Sequence, residues 1–224
     1  MLLSIIRQNQ KLAAKRNPAF DRNRFAKFLI YFMVAFWAAY LIFIGVMLSF
    51  AFEDIFPSME PYHIMNQGLI YLLILDFLLR FMLQPAMSQE IKPYLLMPVK
   101  KNKLVDTLLL QSGISSYNFF WFFLIIPFAL LTIIRFYGLT GILCYLCGIW
   151  LLMVMNSYWY LICKTLLNEK LLYILLPIGV YGLLAGTEFI PEGNPVSTFM
   201  MNLGEGFIEG NILAFLGVLS LIHI

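Results

Sequence analysis

Charge is scarce in this chain. Of its 224 residues only 12% are Asp, Glu, Lys or Arg, about half the share in an ordinary soluble protein. It has two histidines, His63 and His223, and three cysteines, Cys144, Cys147 and Cys163. So few histidines build no His-based metal site and no Ser–His catalytic pair, and the chain reads as a non-enzyme. Cys144 and Cys147 sit one helical turn apart in an apolar run without His or carboxylate neighbours. They read as small apolar filler rather than metal ligands. His63 reads as a wet boundary residue, not a base. No Gly-x-x-x-x-Gly-Lys-Ser/Thr run occurs, so these residues hold no P-loop for ATP, and no cofactor is expected in this chain.

What fills the space is apolar: 62% of the residues are hydrophobic and 17% aromatic. Nearly charge-free stretches run over 28–51, 62–84, 108–134, 138–163 and 171–190. Each is long enough, at about 1.5 Å per residue, to cross a hydrocarbon core of about 30 Å. A shorter run over 207–218 reads as part of a sixth crossing. The expected fold is therefore all-α, a polytopic transmembrane bundle of five complete spans and a truncated sixth. The third stretch is too long for one crossing, and Ser112, Gly113, Ser115, Ser116 and Asn118 make its first part polar. Pro127 and Pro177 are expected to kink their helices.

The bases alternate in sidedness. Arg7, Lys11, Lys15, Arg16, Arg22, Arg24 and Lys27 precede the first span; Lys92, Lys100, Lys101 and Lys103 follow the second; Lys164 and Lys170 follow the fourth. The other connections carry Glu53, Asp54 and Glu60, then Glu188, Glu192, Glu205 and Glu209, with Arg135 the single base. The Lys and Arg bias orients membrane proteins, so a cytoplasmic N-terminus in an inner-membrane, multi-pass protein is predicted. The bases then meet anionic lipid headgroups, at roughly 1 kcal/mol each, rather than nucleic acid. Residues 1–16 read as an interfacial helix ended by Asn17-Pro18, not as a cleavable signal peptide. Residues 191–206, rich in turn formers, read equally as a plain external loop or as a segment dipping back into the membrane.

The last six residues, Leu219-Ser220-Leu221-Ile222-His223-Ile224, resemble the translation of a transposase mosaic-end sequencing adapter. Residues 219–224 are accordingly read as an adapter scar at the end of a gene fragment, and His223 carries no meaning.

Three intramembrane polar residues stand out. Asp76 and Arg80, four apart on one helical face, form a self-neutralising pair. Structural pairing, with Arg80 reaching towards water at the cytoplasmic end, is the first reading; a pathway or gating role is the second. Asn156 reads first as glue between helices. Gly182-x-x-x-Gly186, with Gly179 and Ala185, reads as a close-packing face.

The stretch from Gln89 to Val105 is short, charged and amphipathic. It must lay Tyr94, Leu95, Leu96, Met97 and Val99 on lipid or on a partner protein. Here Leu95-Leu96-Met97-Pro98-Val99-Lys100-Lys101-Asn102-Lys103-Leu104-Val105 resembles the loop between the second and third spans of ABC-2-type transporter permeases. There it often reads Leu-x-x-Leu-Pro-Val-Ser/Lys-Arg/Lys-x-x-Leu-Val. The run Leu75-Asp76-Phe77-Leu78-Leu79-Arg80-Phe81 through Pro93-Tyr94-Leu95 and Pro98-Val99-Lys100 is similar to an uncharacterised Bacteroidetes membrane-protein family related to those permeases. The resemblance implies six-helix units, an N-terminal helix along the membrane, and a coupling helix resting on a separate ATPase that binds the ATP. Pro93, Tyr94, Leu95, Met97, Pro98, Lys100, Lys101 and Lys103 would form that coupling element. The similar family is about twice as long, which implies a remaining half of the same gene product as a further partner. A non-transporting membrane scaffold or accessory protein is the alternative function.

Orientation is directly measurable. Cysteines placed at Glu53 and Asn194 should react with an impermeant maleimide in intact cells, and one at Asn102 should not; labelling of Asn102 from outside reverses the topology.

Overall fold

The computed structural model describes residues 8–9, 12, 24–84, 101–187 and 194–223. Most of the expected interfacial helix, and Pro93, Tyr94, Leu95, Met97, Pro98 and Lys100 of the expected coupling element, lie outside the described residues. Within them the chain is helical, with no strand. In order come α1 (Arg24–Ile55), α2 (Pro61–Gln67), α3 (Leu69–Leu83), α4 (Lys101–Gly113), α5 (Ser116–Phe120), α6 (Phe122–Thr132) and α7 (Ile134–Glu169). A 3₁₀ turn (Leu171–Ile174) leads into α8 (Leu175–Gly186), followed by α9 (Pro195–Ile208) and α10 (Ile212–His223).

Two helices, α1 from Lys27 onward and α7, are long and apolar enough to cross a membrane unaided. Three bent pairs raise the candidates to as many as five: α2 with α3 at 49°, the 103–120 segment with α6 at 61°, and α9 with α10 at 115°. The expected stretches at 28–51, 62–84, 108–134 and 138–163 correspond to four of these. The expected fifth span differs. Its described part is a four-residue 3₁₀ turn and the twelve-residue α8, which reaches only about 18 Å at 1.5 Å per residue. Large apolar side chains cover the outside of the bundle, among them Phe28, Tyr31, Phe36, Phe43 and Leu183, all exposed. Such a surface belongs in lipid, so this is a membrane protein.

The breaks have local causes. Gly138 has φ of +63° inside α7, a conformation that costs glycine least, and it turns the chain between the third and fourth stretches. Pro127 does not kink α6 at its own position. Its ring disturbs residue 123, one turn upstream, and the helix breaks just before that, at Trp121. Pro177 is the third residue of α8, where a missing N–H leaves no intrahelical bond unmade.

Residues 194–208 are not a plain loop. The Asn194 side chain caps α9 by accepting from the backbone N–H of Val196 (3.0 Å) and Ser197 (3.1 Å), with Pro195 at the first position, a standard helix start. At the other end Asn211 N–H donates to the Gly206 carbonyl (2.7 Å) and Gly210 N–H to that of Phe207 (3.1 Å), with Gly210 at φ +72°. This Schellman closure folds α10 back on α9. The hairpin packs on α2 and α7, burying Gly204, Gly206, Phe207 and Ile208.

α7 is the axis. It packs on α3, α4, α5, α6, α9 and α10, while α1 lies mainly along α6. The close approaches occur at other glycines than the sequence pattern indicates. Gly45 meets the Leu124 carbonyl and the Pro127 ring, Gly148 lies under the Phe207 ring, and Gly204 abuts the Asn66 side chain. Among the described residues no atom lies against Gly179, Gly182 or Gly186, so none of the described helices packs on the expected face of α8.

Gly148→Val should therefore destabilise the protein by about 1–3 kcal/mol through overpacking against Phe207. Gly182→Val should stay within about 0.5 kcal/mol. Thermal unfolding of the detergent-solubilised variants compares the two.

Candidate functional site

Asp76 and Arg80 both face inward from α3, because i and i+4 share a helical face. Asp76 is 2% and Arg80 0% exposed. Arg80 does not reach towards water as expected. Its Nε donates to Asp76 Oδ2 (2.7 Å) and its Nη2 to Asn118 Oδ1 of α5 (2.7 Å). Partners this close inside the bundle outcompete an extended route to the interface. The guanidinium also lies 6.0 Å from the Tyr117 ring centre, within cation–π range. Its Nη1 is buried without a hydrogen-bond partner among the described residues.

The Asp76 carboxylate receives donors from three directions. Trp121 Nε1 reaches Oδ1 at 2.8 Å, while Arg80 Nε and Asn156 Nδ2 reach Oδ2 at 2.7 and 2.8 Å. Asn156 also donates to the Leu73 carbonyl (2.9 Å) and accepts from the Tyr181 hydroxyl of α8 (2.6 Å). It is thus a bond between helices, as the sequence indicates. Asn118 spends its amide on the carbonyls of Ser112 (3.0 Å) and Gly113 (2.5 Å) at the end of α4. Beside it the Ser112 and Ser157 hydroxyls meet at 2.7 Å. The network therefore joins α3, α4, α5, α7 and α8 around one ion pair, and the break at Trp121 turns the indole towards Asp76.

The C-terminal carbonyls of α3 are satisfied from α7. Tyr160 donates to the Gln84 carbonyl (2.6 Å) and Lys164 Nζ to that of Phe81 (2.8 Å). The ammonium also lies 4.2 Å from the Phe81 ring centre. A cation at a helix C-terminus is favourable on both counts.

Next to the network lies a cavity of about 730 Å³ between α3, α4, α7, α8 and the α9–α10 hairpin. Asn156 and Tyr181 belong to both: they line the cavity and stand between it and Asp76. Val105 and Leu109 of α4 form part of its wall. Lys101 opens α4 and Lys103 is exposed on its first turn. The expected coupling element thus runs directly into a helix that lines the cavity.

A second polar contact escaped the sequence reading. His63 Nδ1 of α2 and Glu205 Oε1 of α9 are 2.5 Å apart, each about a quarter exposed. His63, partly exposed as a boundary residue would be, also joins segments 142 residues apart. Close by, the Tyr145 hydroxyl donates to buried Asn66 (2.9 Å). Arg135, the lone base among the acidic connections, pairs with Glu53 at 3.0 Å on the surface, a contact worth little by itself.

The chain belongs to a family of unknown function, DUF5687, whose model matches residues 10–224. No curated protein and no solved structure matches it.

Breaking the ion pair from one side should be the most damaging change in this region. Asp76→Asn or Arg80→Gln alone leaves an uncompensated buried charge and should cost about 3–5 kcal/mol. The double variant should recover much of that loss. Yield and melting temperature of the three variants in detergent test it; a double variant that folds well yet abolishes activity assigns the pair to the pathway.

Proposed function

We propose that this chain is the membrane-embedded permease subunit of an ABC-2-type exporter in the inner membrane. ATP hydrolysis in a separate subunit would drive it through the 92–105 segment. One observation supports the reading above others: α4 serves two places at once. Its Val105 and Leu109 line the cavity, and its Ser112 and Gly113 carbonyls hold the Asn118 amide that in turn binds Arg80. A displacement entering at the N-terminal end of α4 would reach the cavity wall and the ion-pair network together. Packed helices respond to such a push by rocking between discrete arrangements, not by continuous deformation. No chemistry is required of this chain; the ATP belongs to the partner, and the remaining half of the gene product would complete the pathway.

The alternative is a non-transporting membrane scaffold or accessory protein. The feature favouring it is that the amides of Asn118 and Asn156 are fully used in joining helices. That is what a rigid structural core requires.

Purification of the intact protein from its native host in mild detergent should bring down an ATPase carrying P-loop and signature motifs. Tyr94→Ala should weaken that complex by about 2 kcal/mol or more if the ring is an interface anchor. Changing Lys100, Lys101 and Lys103 to glutamine should mainly alter salt sensitivity, because rim charges contribute little individually. Recovery without any ATPase, with normal behaviour of the Tyr94 variant, selects the scaffold.

A further inference from the structure

α8 is too short to cross a membrane by itself, and its contacts locate the depth at which it stops. α7 serves as the ruler, because it meets α2 and α3 at three levels. Tyr145 bonds Asn66, Asn156 bonds Leu73 and Asp76, and Lys164 bonds Phe81. The chain leaves α7 at Lys170 and enters α8 through the 3₁₀ turn, so α8 runs back along α7. Its Tyr181 is level with Asn156, and Thr187 lies about 9 Å further on at 1.5 Å per residue. α9 gives the same depth from the opposite direction. Glu205 meets His63, Gly204 abuts Asn66 and Met201 accepts from Gln67, so α9 runs antiparallel to α2. Asn194 therefore lies about 10 Å deeper than Gln67. Both routes end level with about residues 150–153 of α7, midway along its apolar stretch over 138–163. The two ends also touch: the Thr187 hydroxyl reaches Asn194 Oδ1 at 2.9 Å.

The start of α9 is closed as a helix end away from water has to be. Pro195, at its first position, has no N–H to satisfy. Val196 and Ser197 N–H donate to Asn194 Oδ1, and Thr198 N–H donates to the Asn194 carbonyl (3.0 Å). The Thr198 hydroxyl turns back onto that same carbonyl (3.0 Å). None of these first N–H groups needs solvent, and Phe199 stands exposed beside them. Residues 188–193, between the two ends, lie outside the described residues and are given no role.

We infer that α8 and α9 together form the fifth crossing, interrupted near the middle of the membrane and ending outside at Glu209. Their 12 and 14 residues supply about 18 and 21 Å, enough for a core of about 30 Å. The 115° bend between α9 and α10 is then the outer turn, and Glu205 and Glu209 join the other acidic residues on that side. Asn194, external by the sequence reading, lies inside. The interruption leaves two separately anchored halves. α8 is tied through Tyr181 to the Asp76 network, while α9 is tied to α2 by His63 and to α7 by Phe207 over Gly148. One half can shift while the other stays, which an unbroken helix does not allow. The inference stands apart from the transport reading and holds equally for a scaffold.

The test uses the purified protein in phosphatidylcholine nanodiscs, with Cys144, Cys147 and Cys163 changed to alanine. Single cysteines then replace Pro195, Thr198 or Glu209, all three exposed on the protein surface. A membrane-impermeant maleimide should label Glu209→Cys at least about tenfold faster than Pro195→Cys or Thr198→Cys, which lie within the hydrocarbon. A nitroxide on either inner position should be relaxed more by oxygen, which concentrates in hydrocarbon, than by a water-soluble nickel chelate. At Glu209→Cys that order should reverse. Two inner positions keep the test decisive where one variant is not monodisperse. Comparable maleimide rates at positions 195 and 209, or no labelling of Glu209→Cys, overturn the inference. For the separate anchors, Glu205→Ala should raise amide hydrogen exchange in α9 by about two- to tenfold, the worth of one hydrogen bond, and leave α8 unchanged. An equal rise in both halves makes them one rigid unit and overturns the interruption as a point of independent movement.

Discussion

A carboxylate in the middle of a helical bundle has to be satisfied, and the arrangement around Asp76 follows from that requirement. An isolated buried charge costs several kcal/mol even after relaxation. Here Arg80 neutralises it, and Trp121 and Asn156 supply the remaining hydrogen bonds. Each partner then needs its own support. Arg80 requires Asn118, Asn118 requires the end of α4, and Asn156 accepts from Tyr181. The relative placement of five helices is thus tied to one ion pair. Apolar contacts alone would not specify it, since lipid is as good an environment for leucine as another helix.

Helix breaks make this convergence possible. A straight third span would present one face continuously, whereas the interruptions at Ser115 and Trp121 free the backbone around Asn118 and re-aim the indole. Exposed backbone polar groups are not tolerated in hydrocarbon, so irregular segments must lie where protein can satisfy them. Those around Asn118 are: Ser115 N–H bonds Ser112, and Asn118 N–H bonds Ser115. The Gly138 and Gly210 turns do the same work at other junctions, where only the backbone freedom of glycine allows the reversal.

Hydropathy and local spacing made part of this legible in the sequence. Four of the apolar stretches correspond to candidate spans, and the Asp76–Arg80 pair followed from four-residue spacing. Asn156 as interhelical glue followed from the cost of an amide in lipid. The burial of Arg80 was not legible, because its second partner, Asn118, lies 38 residues away on a helix broken out of register. The His63–Glu205 contact spans 142 residues, and no local pattern encodes it. The Gly182–Gly186 motif has no packing partner among the described residues, because a small-residue face permits close packing without supplying the helix that packs there. Conversely, Gly148 and Gly204 sit in no motif; the large side chains that need the space, Phe207 and Asn66, come from distant segments. The capped hairpin at 194–223 was half visible. Asn194-Pro195 is a helix start by its chemistry, but the surrounding turn formers outweighed it.

The charged pair and the cavity are neighbours that do not merge. Carriers coupled to proton or sodium gradients keep an ionisable side chain or unwound carbonyls within reach of the substrate pathway. Among the described residues the charged pair lies behind Asn156 and Tyr181, and the cavity lining holds no Asp, Glu, Lys or Arg. α4 is the helix that joins the basic segment before it to the network behind it, and its Val105 and Leu109 also line the cavity, so network and cavity share one wall.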